Sequence, residues 1–324
     1  MKKWSIFLGI CLVAQIALAV GANMARTDYG AFQPMEALLS FDKQMIDQIS
    51  IDEDGKQQVT LNKKEGNWLV SQVDDFQADQ NKVTNFLEKL SDLKKGWPVA
   101  TTAPAAKRFK VAKDAYERKI TLSKNGKSND LLFIGTSPSF RKVHARAGGE
   151  NNVFAVDFAD YDASAKPEDW IDKDVLKHPV SEISRVELPD VSLTNQNGKP
   201  AVEGITDQEE TVADEADNLL QKIADLRISK VLGTGEKAEY GLDKPVLQYT
   251  LKLSSGETEK YVFAKPKEAD NYVLKPSQHK AYFQVAKWVV DGIKAFNRSK
   301  LVKMKTEKAE KKAEKDVKKE KVHP

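Results

Sequence analysis

Cysteine is almost missing from this chain. Of the 324 residues only Cys11 is a cysteine, and it lies within an apolar stretch near the amino terminus. The rest of the chain can therefore form no disulfide, bind no zinc through thiolates and use no cysteine nucleophile. Because a body without cysteine suits either redox compartment, this absence does not locate the protein.

Histidine is also scarce, and the familiar catalytic motifs are missing. The histidines are His144, His178, His279 and His323, and the closest two are 34 residues apart, so the chain has no His-x-x-x-His metal pair. It also lacks a Gly-x-Ser-x-Gly elbow and a phosphate-binding loop. We therefore predict no catalytic residue, no metal and no cofactor. A hydrolase that uses two acids brought together by folding is the enzymatic alternative.

The body of the chain has little net charge. Lys and Arg number 51 and Asp and Glu number 48, which gives a net charge of +3. Residues 303–324 hold nine lysines and five acids, which leaves 42 basic and 43 acidic groups in the other 302 residues. This balance argues against nucleic acid as a partner. Residues 303–324 have no apolar stripe, so they are predicted to be a charged, flexible tail.

Charged residues are absent from positions 4–25, although 31% of the chain is charged. As a helix this stretch would be about 33 Å long, enough to cross a hydrocarbon core of about 30 Å. Because Lys2 and Lys3 precede it, we predict a cytoplasmic segment at 1–3, a transmembrane anchor at 4–25 and a body on the outer side of the membrane. The alternative is a signal peptide cleaved near Ala17-Leu18-Ala19, which would give a soluble exported protein.

Two segments of the body resemble each other. The nine residues that start at Asn85 match those that start at Asn218, an offset of 133 positions, and both have apolar groups at helical spacing. A second match, at an offset of 131, aligns Phe109 with Tyr240. Offsets this similar predict a duplicated domain, with a first copy at 41–177 and a second copy at 178–302.

Alternating apolar residues predict the strands of each copy. Strands are expected before the two helices, at 46–51, 59–63, 68–72, 183–188 and 191–195. An antiparallel meander should follow each helix and turn at Asn125-Gly126 or at Ser255-Gly256. Residues 95–108 and 199–211 are expected to be loops. The predicted fold is α+β, with two tandem copies of a unit made of an antiparallel sheet and one amphipathic helix, behind an N-terminal transmembrane helix.

One candidate site is a strand with a run of cations. Alternation along residues 141–146 places Lys142, His144 and Arg146 on one face. One interpretation of this face is a binding site for an anion or a protein partner. The other, which we favour because runs of charge usually mark solvated surface, is an ordinary solvent-exposed strand face.

Several strings in the body resemble the motifs of one protein family. They are Asn67-Trp68-Leu69-Val70, the leucine-rich helix that ends at Leu93, Ile134-Gly135-Thr136, Val153-Phe154-Ala155-Val156-Asp157 and Tyr240-Gly241-Leu242-Asp243-Lys244-Pro245. Their order over about residues 41–302 resembles the family known as domain of unknown function 4340. The first copy departs from the signature, because Lys110 and Asp114 stand where the family has Gly and Pro. The second copy has Ala264-Lys265 in place of the glycine that ends a strand.

The resemblance implies a bacterial protein with one amino-terminal membrane span, of a kind often encoded beside a gliding-motility-type ABC transporter. It implies no catalytic residue. We therefore expect a non-enzymatic accessory or scaffold protein of an ABC-type transport or envelope complex, with the inner membrane and an ABC transporter permease or auxiliary subunit as partners. The alternative is a periplasmic module that binds cell-wall or polysaccharide fragments.

Overall fold

The computed structural model describes residues 12, 14–16, 36–196 and 198–305. The predicted anchor at 4–25 lies outside the described residues, apart from Leu12 and residues 14–16, which are helical. The predicted tail lies outside them beyond residue 305. Among the residues that are described, no helix is long and apolar enough to cross a membrane.

Residues 36–305 form runs of strands that are separated by a few helices. The α-helices in this range are α1 (Gln80–Ser91), α2 (Ala103–Arg108), α3 (Ala213–Ala224), α4 (Lys287–Lys294) and α5 (Arg298–Leu301). Short 3-10 helices lie at Lys43–Met45, Ser71–Val73, Asp160–Ala163, Pro167–Asp169, Val180–Glu182 and Ala238–Tyr240.

The strands of the same range are, in chain order, β1 (Gln48–Glu53), β2 (Gln57–Lys64), β3 (Asn67–Val70), β4 (Phe76–Gln77), β5 (Pro98–Ala100), β6 (Val111–Ala112), β7 (Ala115–Tyr116), β8 (Arg118–Lys124), β9 (Lys127–Ile134), β10 (Lys142–Ala147), β11 (Val153–Asp157), β12 (Ile183–Glu187), β13 (Ser192–Gln196), β14 (Lys199–Val202), β15 (Glu209–Thr211), β16 (Lys230–Gly233), β17 (Leu247–Leu253), β18 (Thr258–Ala264), β19 (Tyr272–Pro276), β20 (Tyr282–Val285) and β21 (Val302–Met304). Strand β21 contains Lys303 and Met304, the first residues of the predicted tail.

Contacts divide the chain into two compact units, each made of two segments. The first unit is Met1–Gln57 with Asn85–Ala165, and the second is Gln58–Thr84 with Lys166–Pro324. The predicted copies at 41–177 and 178–302 are continuous in sequence, and their boundaries stay a prediction.

The first unit contains an antiparallel sheet in the order β1-β8-β9-β10-β11-β5. The turn predicted at Asn125-Gly126 joins β8 to β9, where Lys124 pairs with Lys127. Both turn residues have positive φ angles, 53° for Asn125 and 70° for Gly126. Two such residues form the type I′ turn that matches the twist of a hairpin.

The second unit contains an antiparallel sheet in the order β14-β13-β12-β17-β18-β19-β20-β16, the consecutive strands β2-β3-β4 and the pair β15-β21. Strand β17 has the predicted alternation. Its buried residues are Leu247, Tyr249, Leu251 and Leu253. One face of the strand is buried and the other is more exposed to solvent, so the period-two pattern in the sequence identified this strand correctly.

Both long helices bury the stripe that their spacing predicts. The buried residues of α1 and α3 are Val83, Phe86, Leu87, Leu90, Ala216, Leu219, Leu220, Ile223 and Ala224. Asp79 caps α1, because its Oδ1 accepts a hydrogen bond from Lys82 N at 2.9 Å. Helix α3 packs against β14. This combination of helices with antiparallel sheets confirms the predicted α+β class.

Both predictions of a loop are wrong. Strand β5 and helix α2 lie within residues 95–108, and β14 and β15 lie within residues 199–211. Pro104 stands in the first turn of α2, where its missing N–H has no helical partner to lose. Pro200 lies on β14, the end strand of its sheet, where a missing donor is tolerated. Proline at these two positions is compatible with regular structure.

Gly135 lets two segments of the first unit approach closely. A Cβ atom at this position would lie 2.0 Å from the Phe109 carbonyl oxygen and 2.4 Å from that of Lys110. Thr136 N donates to the Phe109 carbonyl at 3.0 Å, so the two backbones are in direct contact. Any side chain here would push them apart, which gives a physical reason for the glycine in Ile134-Gly135-Thr136.

Two positions with left-handed backbone yield opposite stability predictions. Lys110 has a φ of 54° and Gly241 a φ of 70°. This conformation disfavours a residue with a side chain by about 1–2 kcal/mol. Glycine removes that cost, but its greater freedom in the unfolded chain cancels part of the gain. We therefore expect Lys110→Gly to raise the free energy of unfolding by about 1 kcal/mol. Gly241→Lys should lower it by about the same amount. Urea denaturation followed by circular dichroism measures both changes.

The control for these variants is Lys113→Gly, because Lys113 is an exposed lysine nearby whose φ is not positive. This substitution should lower the stability. The exposed ion pair between Lys110 and Glu117, at 2.9 Å, is lost in Lys110→Gly but contributes little. A decrease in stability for Lys110→Gly as large as that of the control would contradict the prediction.

Candidate functional site

An open groove of about 960 Å³ lies in the second unit. One wall is formed by Tyr240, Gly241, Asp243 and Lys244, which belong to the string that resembles the family signature. The remaining lining residues are Leu232, Ala238, Glu239, Lys265, Pro266, Lys267, Glu268, Ala269, Asn271, Val273 and Gln284. The volume lies within the range of sites that bind small molecules or short chain segments.

Tyr240 packs the signature string against the sheet of the second unit. Its ring lies 5.3 Å from the ring of Tyr282 and clusters with Val273, while Leu232 and Leu242 pack against this cluster. The Tyr240 hydroxyl donates to the Leu232 carbonyl at 3.3 Å. The left-handed conformation of Gly241 then ends the 3-10 helix at Ala238–Tyr240 and turns the chain along the groove. The wall is therefore held by both packing and backbone geometry.

The rim of the groove carries both signs of charge. The acids of the lining are Glu239, Asp243 and Glu268, and the lysines are Lys244, Lys265 and Lys267. Three charges of each sign leave the rim near neutrality, so it does not select a strongly charged ligand. Polar groups around a partly apolar groove suit a polypeptide segment or another polar chain.

Lys265 is held in place beside Tyr272. Its Nζ donates to the Asp270 carbonyl and lies 4.9 Å from the centre of the Tyr272 ring. The Tyr272 hydroxyl donates to Asp291 Oδ1 at 2.6 Å, and this hydrogen bond, with burial, raises the pKa of Tyr272 to about 12. The phenol therefore stays neutral around pH 7 and keeps its donor role.

A second cluster of polar residues is buried in the second unit and does not line the groove. Glu259 is only 8% exposed, and its Oε2 accepts from the Tyr261 hydroxyl at 2.5 Å and from Gln278 Nε2 at 2.8 Å. His178 Nε2 lies 2.9 Å from the same oxygen. A buried carboxylate needs such partners, because each missing one would leave desolvated charge uncompensated.

Tyr249 lies beside this cluster but does not join it. Its ring stacks on that of Tyr261 at 4.8 Å, and its hydroxyl has no hydrogen-bond partner among the described residues. Burial raises the pKa of Tyr249 well above its usual value. Burial, and then the hydrogen bond to Glu259, raise the pKa of Tyr261 as well. Both phenols therefore stay protonated, and the cluster has the character of a structural network.

Sequence reasoning missed this cluster, although a signal was present. In β18 the inward-facing residues are Glu259, Tyr261 and Phe263, at every second position. An acid that shares the apolar face of a strand indicates a buried carboxylate that needs partners. The partners His178 and Gln278 come from distant parts of the chain, and nothing in the one-dimensional pattern connects them to Glu259.

The three residues of the predicted cationic strip differ in their surroundings. Lys142 is exposed and lies 3.2 Å from Asp157. His144 is only 8% exposed, with its Nδ1 at 2.9 Å from Thr136 Oγ1. Arg146 Nε donates to the Val111 carbonyl at 2.7 Å. The strip stays a prediction, and of its members Lys142 is the one placed to meet a partner directly.

Fold and groove together define an α+β protein with antiparallel sheets, in which a signature string lines an open groove. A family model described as Domain of unknown function (DUF4340) matches residues 68–245, more than half of the chain. The protein belongs to this family, which confirms the resemblance seen in its motifs. No curated protein and no solved structure matches the chain. The matched range includes the groove wall at Tyr240, Gly241, Asp243 and Lys244.

We predict that removing the hydroxyl group has opposite effects on stability at the two stacked tyrosines. Tyr261→Phe removes a donor to a buried carboxylate, so we expect the free energy of unfolding to fall by about 2 kcal/mol. Tyr249→Phe removes a buried hydroxyl without a partner, so stability should stay the same or rise by up to about 1 kcal/mol. Urea denaturation compares the two variants, and each serves as the other's control. Equal losses in both would show that the hydrogen bond to Glu259 is not what distinguishes them.

Proposed function

We propose that the protein is a non-enzymatic accessory or scaffold subunit of an ABC-type transport or envelope complex, anchored in the bacterial inner membrane with its body in the periplasm. The observation that carries this proposal is that the family signature lines an open groove. Tyr240, Gly241, Asp243 and Lys244 contribute a wall, and the packing of Tyr240 fixes that wall. A family signature that lines an open groove is suited to binding a partner there.

The chemistry of the groove supports a polypeptide segment as the occupant. The lining offers apolar contacts at Leu232 and Val273 next to charged groups of both signs. A chain segment with mixed side chains matches such a lining, whereas a highly charged polymer does not. The groove would hold a segment of the permease or of an auxiliary subunit.

We also propose that the chain arose by duplication of one α+β unit. The first unit's order β1-β8-β9-β10-β11-β5 corresponds, strand for strand, to β12-β17-β18-β19-β20-β16 in the second. The strands that follow β1 and β12 in sequence also correspond, since β2 pairs with β3 as β13 pairs with β14. One long helix then precedes β5 and β16 alike.

A pair of equivalent hydrogen bonds supports the duplication. Asp79 N donates to the Trp170 carbonyl at 2.8 Å, and Val212 N donates to the Leu301 carbonyl at the same distance. The donors are 133 positions apart and the acceptors 131, the two offsets found in the sequence matches. The stability changes predicted for Lys110→Gly and Gly241→Lys also test the duplication. If the two units share an ancestor, Lys110 and Gly241 occupy the same position in it, and glycine should be the more stable residue at both.

A second candidate function is binding of cell-wall or polysaccharide fragments. The volume of the groove, about 960 Å³, and the aromatic ring of Tyr240 favour it, since sugars commonly pack on aromatic side chains. The lining contains no Trp or Arg, which makes this candidate the weaker of the two. The identity of the crosslinked material in the experiment below distinguishes them.

The anchor is tested by membrane extraction. If residues 4–25 span the membrane, the full-length protein should stay in the membrane pellet after alkaline carbonate treatment, and amino-terminal sequencing should find its original start. A control in which residues 1–25 are replaced by a cleavable signal peptide should be released. Release of the native protein, with a new amino terminus close to Ala19, would establish the signal-peptide alternative.

The groove is tested by site-specific photocrosslinking in intact cells. A photoreactive amino acid at Ala269, which lines the groove, should give adducts with a protein of the membrane complex. The matched control is Glu257, an exposed residue of the same unit outside the lining, which should give none. Adducts with glycan at Ala269 would favour the second candidate. Equal labelling at both positions, or labelling at neither, would count against a binding role for the groove.

A further inference from the structure

Strand β5 ends the sheet of the first unit and displays large apolar side chains. In the strand order of the described residues, β11 is its neighbour and β5 is the end strand. Val99 on β5 is 46% exposed, and Trp97, which immediately precedes the strand, is 68% exposed. An end strand that carries exposed apolar residues is a site where another extended chain can add.

The segment around β5 carries charge of one sign. Between Asp92 and Asp114 the chain has six basic residues and no acidic one. They are Lys94, Lys95, Lys107, Arg108, Lys110 and Lys113. Lys95, Lys107 and Lys110 form ion pairs with carboxylates, whereas Lys94 and Arg108 are exposed and have no ion-pair partner among the described residues. The edge therefore favours an acidic partner.

The second unit shows how an end strand of this kind is covered. Strand β16 ends its sheet, and the 3-10 helix Ser71–Val73 packs against it. A Cβ atom on Gly233 of β16 would lie 3.5 Å from Asp74 Oδ2. The Phe76 ring lies 5.7 Å from the ring of Phe283, the residue of β20 that pairs with Val231 of β16. The cover is a helical turn followed by two acids in left-handed conformation and an aromatic residue.

The first unit has the matching positions. Strand β5 corresponds to β16, and Phe154 of β11 pairs with Pro98 of β5 much as Phe283 pairs with Val231 of β16. This correspondence rests on the proposed duplication and not on the groove. Residues 36–38 pair with residues 93–95 just before β5. Within the described part of the chain, β11 is the strand that pairs with β5 itself.

We propose that the edge formed by Trp97, Val99, Lys94 and Arg108 binds an acidic segment of a partner protein that carries an aromatic residue. The partner segment packs against β5 as residues 71–77 pack against β16. Its acids face the basic residues that flank the strand, and its aromatic ring packs near Trp97 and Val99. Pro98 removes one backbone donor from this edge, so recognition depends on side chains as well as on main-chain hydrogen bonds.

The chain's own covering segment supplies the probe for the test. A fluorescent peptide with the sequence of residues 71–79, which contains Asp74, Asp75 and Phe76, is titrated with full-length protein in detergent, and fluorescence anisotropy reports binding. We expect binding that weakens as salt concentration rises. The Phe76→Ala peptide and the Asp74→Asn/Asp75→Asn peptide should each bind at least about tenfold more weakly, which corresponds to a loss of about 1.4 kcal/mol.

Variants of the protein locate the binding site. Trp97→Ala/Val99→Asp should reduce the affinity at least about tenfold, and Lys94→Glu/Arg108→Glu should remove the salt dependence as well. Because all four residues are on the surface, circular dichroism and urea midpoints should match those of the native protein. The matched control is Trp288→Ala, which removes a tryptophan that is 77% exposed in the other unit and should leave the affinity unchanged.

Two outcomes of the peptide titration would overturn the proposal. Peptide binding that survives both double variants would mean that the peptide displaces the native cover from β16 instead. A failure of the peptide to bind at millimolar concentration would mean that β5 does not recognise this chemistry. Either result leaves the crosslinking test of the groove unaffected, so the two proposals fail separately.

Discussion

An antiparallel sheet leaves unpaired N–H and C=O groups along its end strands, and this constraint organises much of the chain. In the second unit, the end strand β14 contains Pro200, which removes a donor that water or another chain would otherwise have to satisfy. At the other end of that sheet, β16 is covered by the segment Ser71–Val73 and its neighbours. Strand β5 of the first unit is only three residues long and begins with Pro98. Different local sequences thus meet the same requirement.

The interior depends on two further conditions that leave little freedom to the sequence. Gly135 has no side chain, because the Phe109 carbonyl oxygen occupies the place of a Cβ atom. Glu259 lies on a covered face, where the Tyr261 hydroxyl, His178 and Gln278 surround one of its carboxyl oxygens. Substitution at either position leaves an overlap or an unsatisfied group that the surroundings cannot relieve by a small shift. These positions are therefore fixed by contacts between distant segments.

Patterns with a regular period predicted the elements of the fold well. The alternation of Leu247, Tyr249, Leu251 and Leu253 and the stripe along α3 each report burial on one side, and burial is what their periods encode. Strand β5 and helix α2 were not predicted, because a three-residue strand and a six-residue helix are too short to show a period.

The groove and the Glu259 cluster were beyond sequence reasoning for a different reason. Tyr240 and Ala269 line one groove, and His178 and Glu259 share one cluster, although each pair is far apart in the chain. A motif can mark one wall of such a site, as the string at Tyr240 does, but the other residues are set by the register of β18 and β19. That register follows from strand pairing such as Phe263 with Leu274, which a single sequence does not specify.

The two surfaces that we propose as binding sites differ in charge, and the difference bears on the scaffold role. The groove rim has three acids and three lysines, whereas the segment around β5 has six basic residues and no acid. Charge complementarity selects partners largely by rejecting the wrong sign, so one ligand would not suit both surfaces. A scaffold of the kind that we propose, holding two different segments, would raise the effective concentration of each near the other. That role would require placement and not catalysis, which a chain without a recognisable active-site motif can supply.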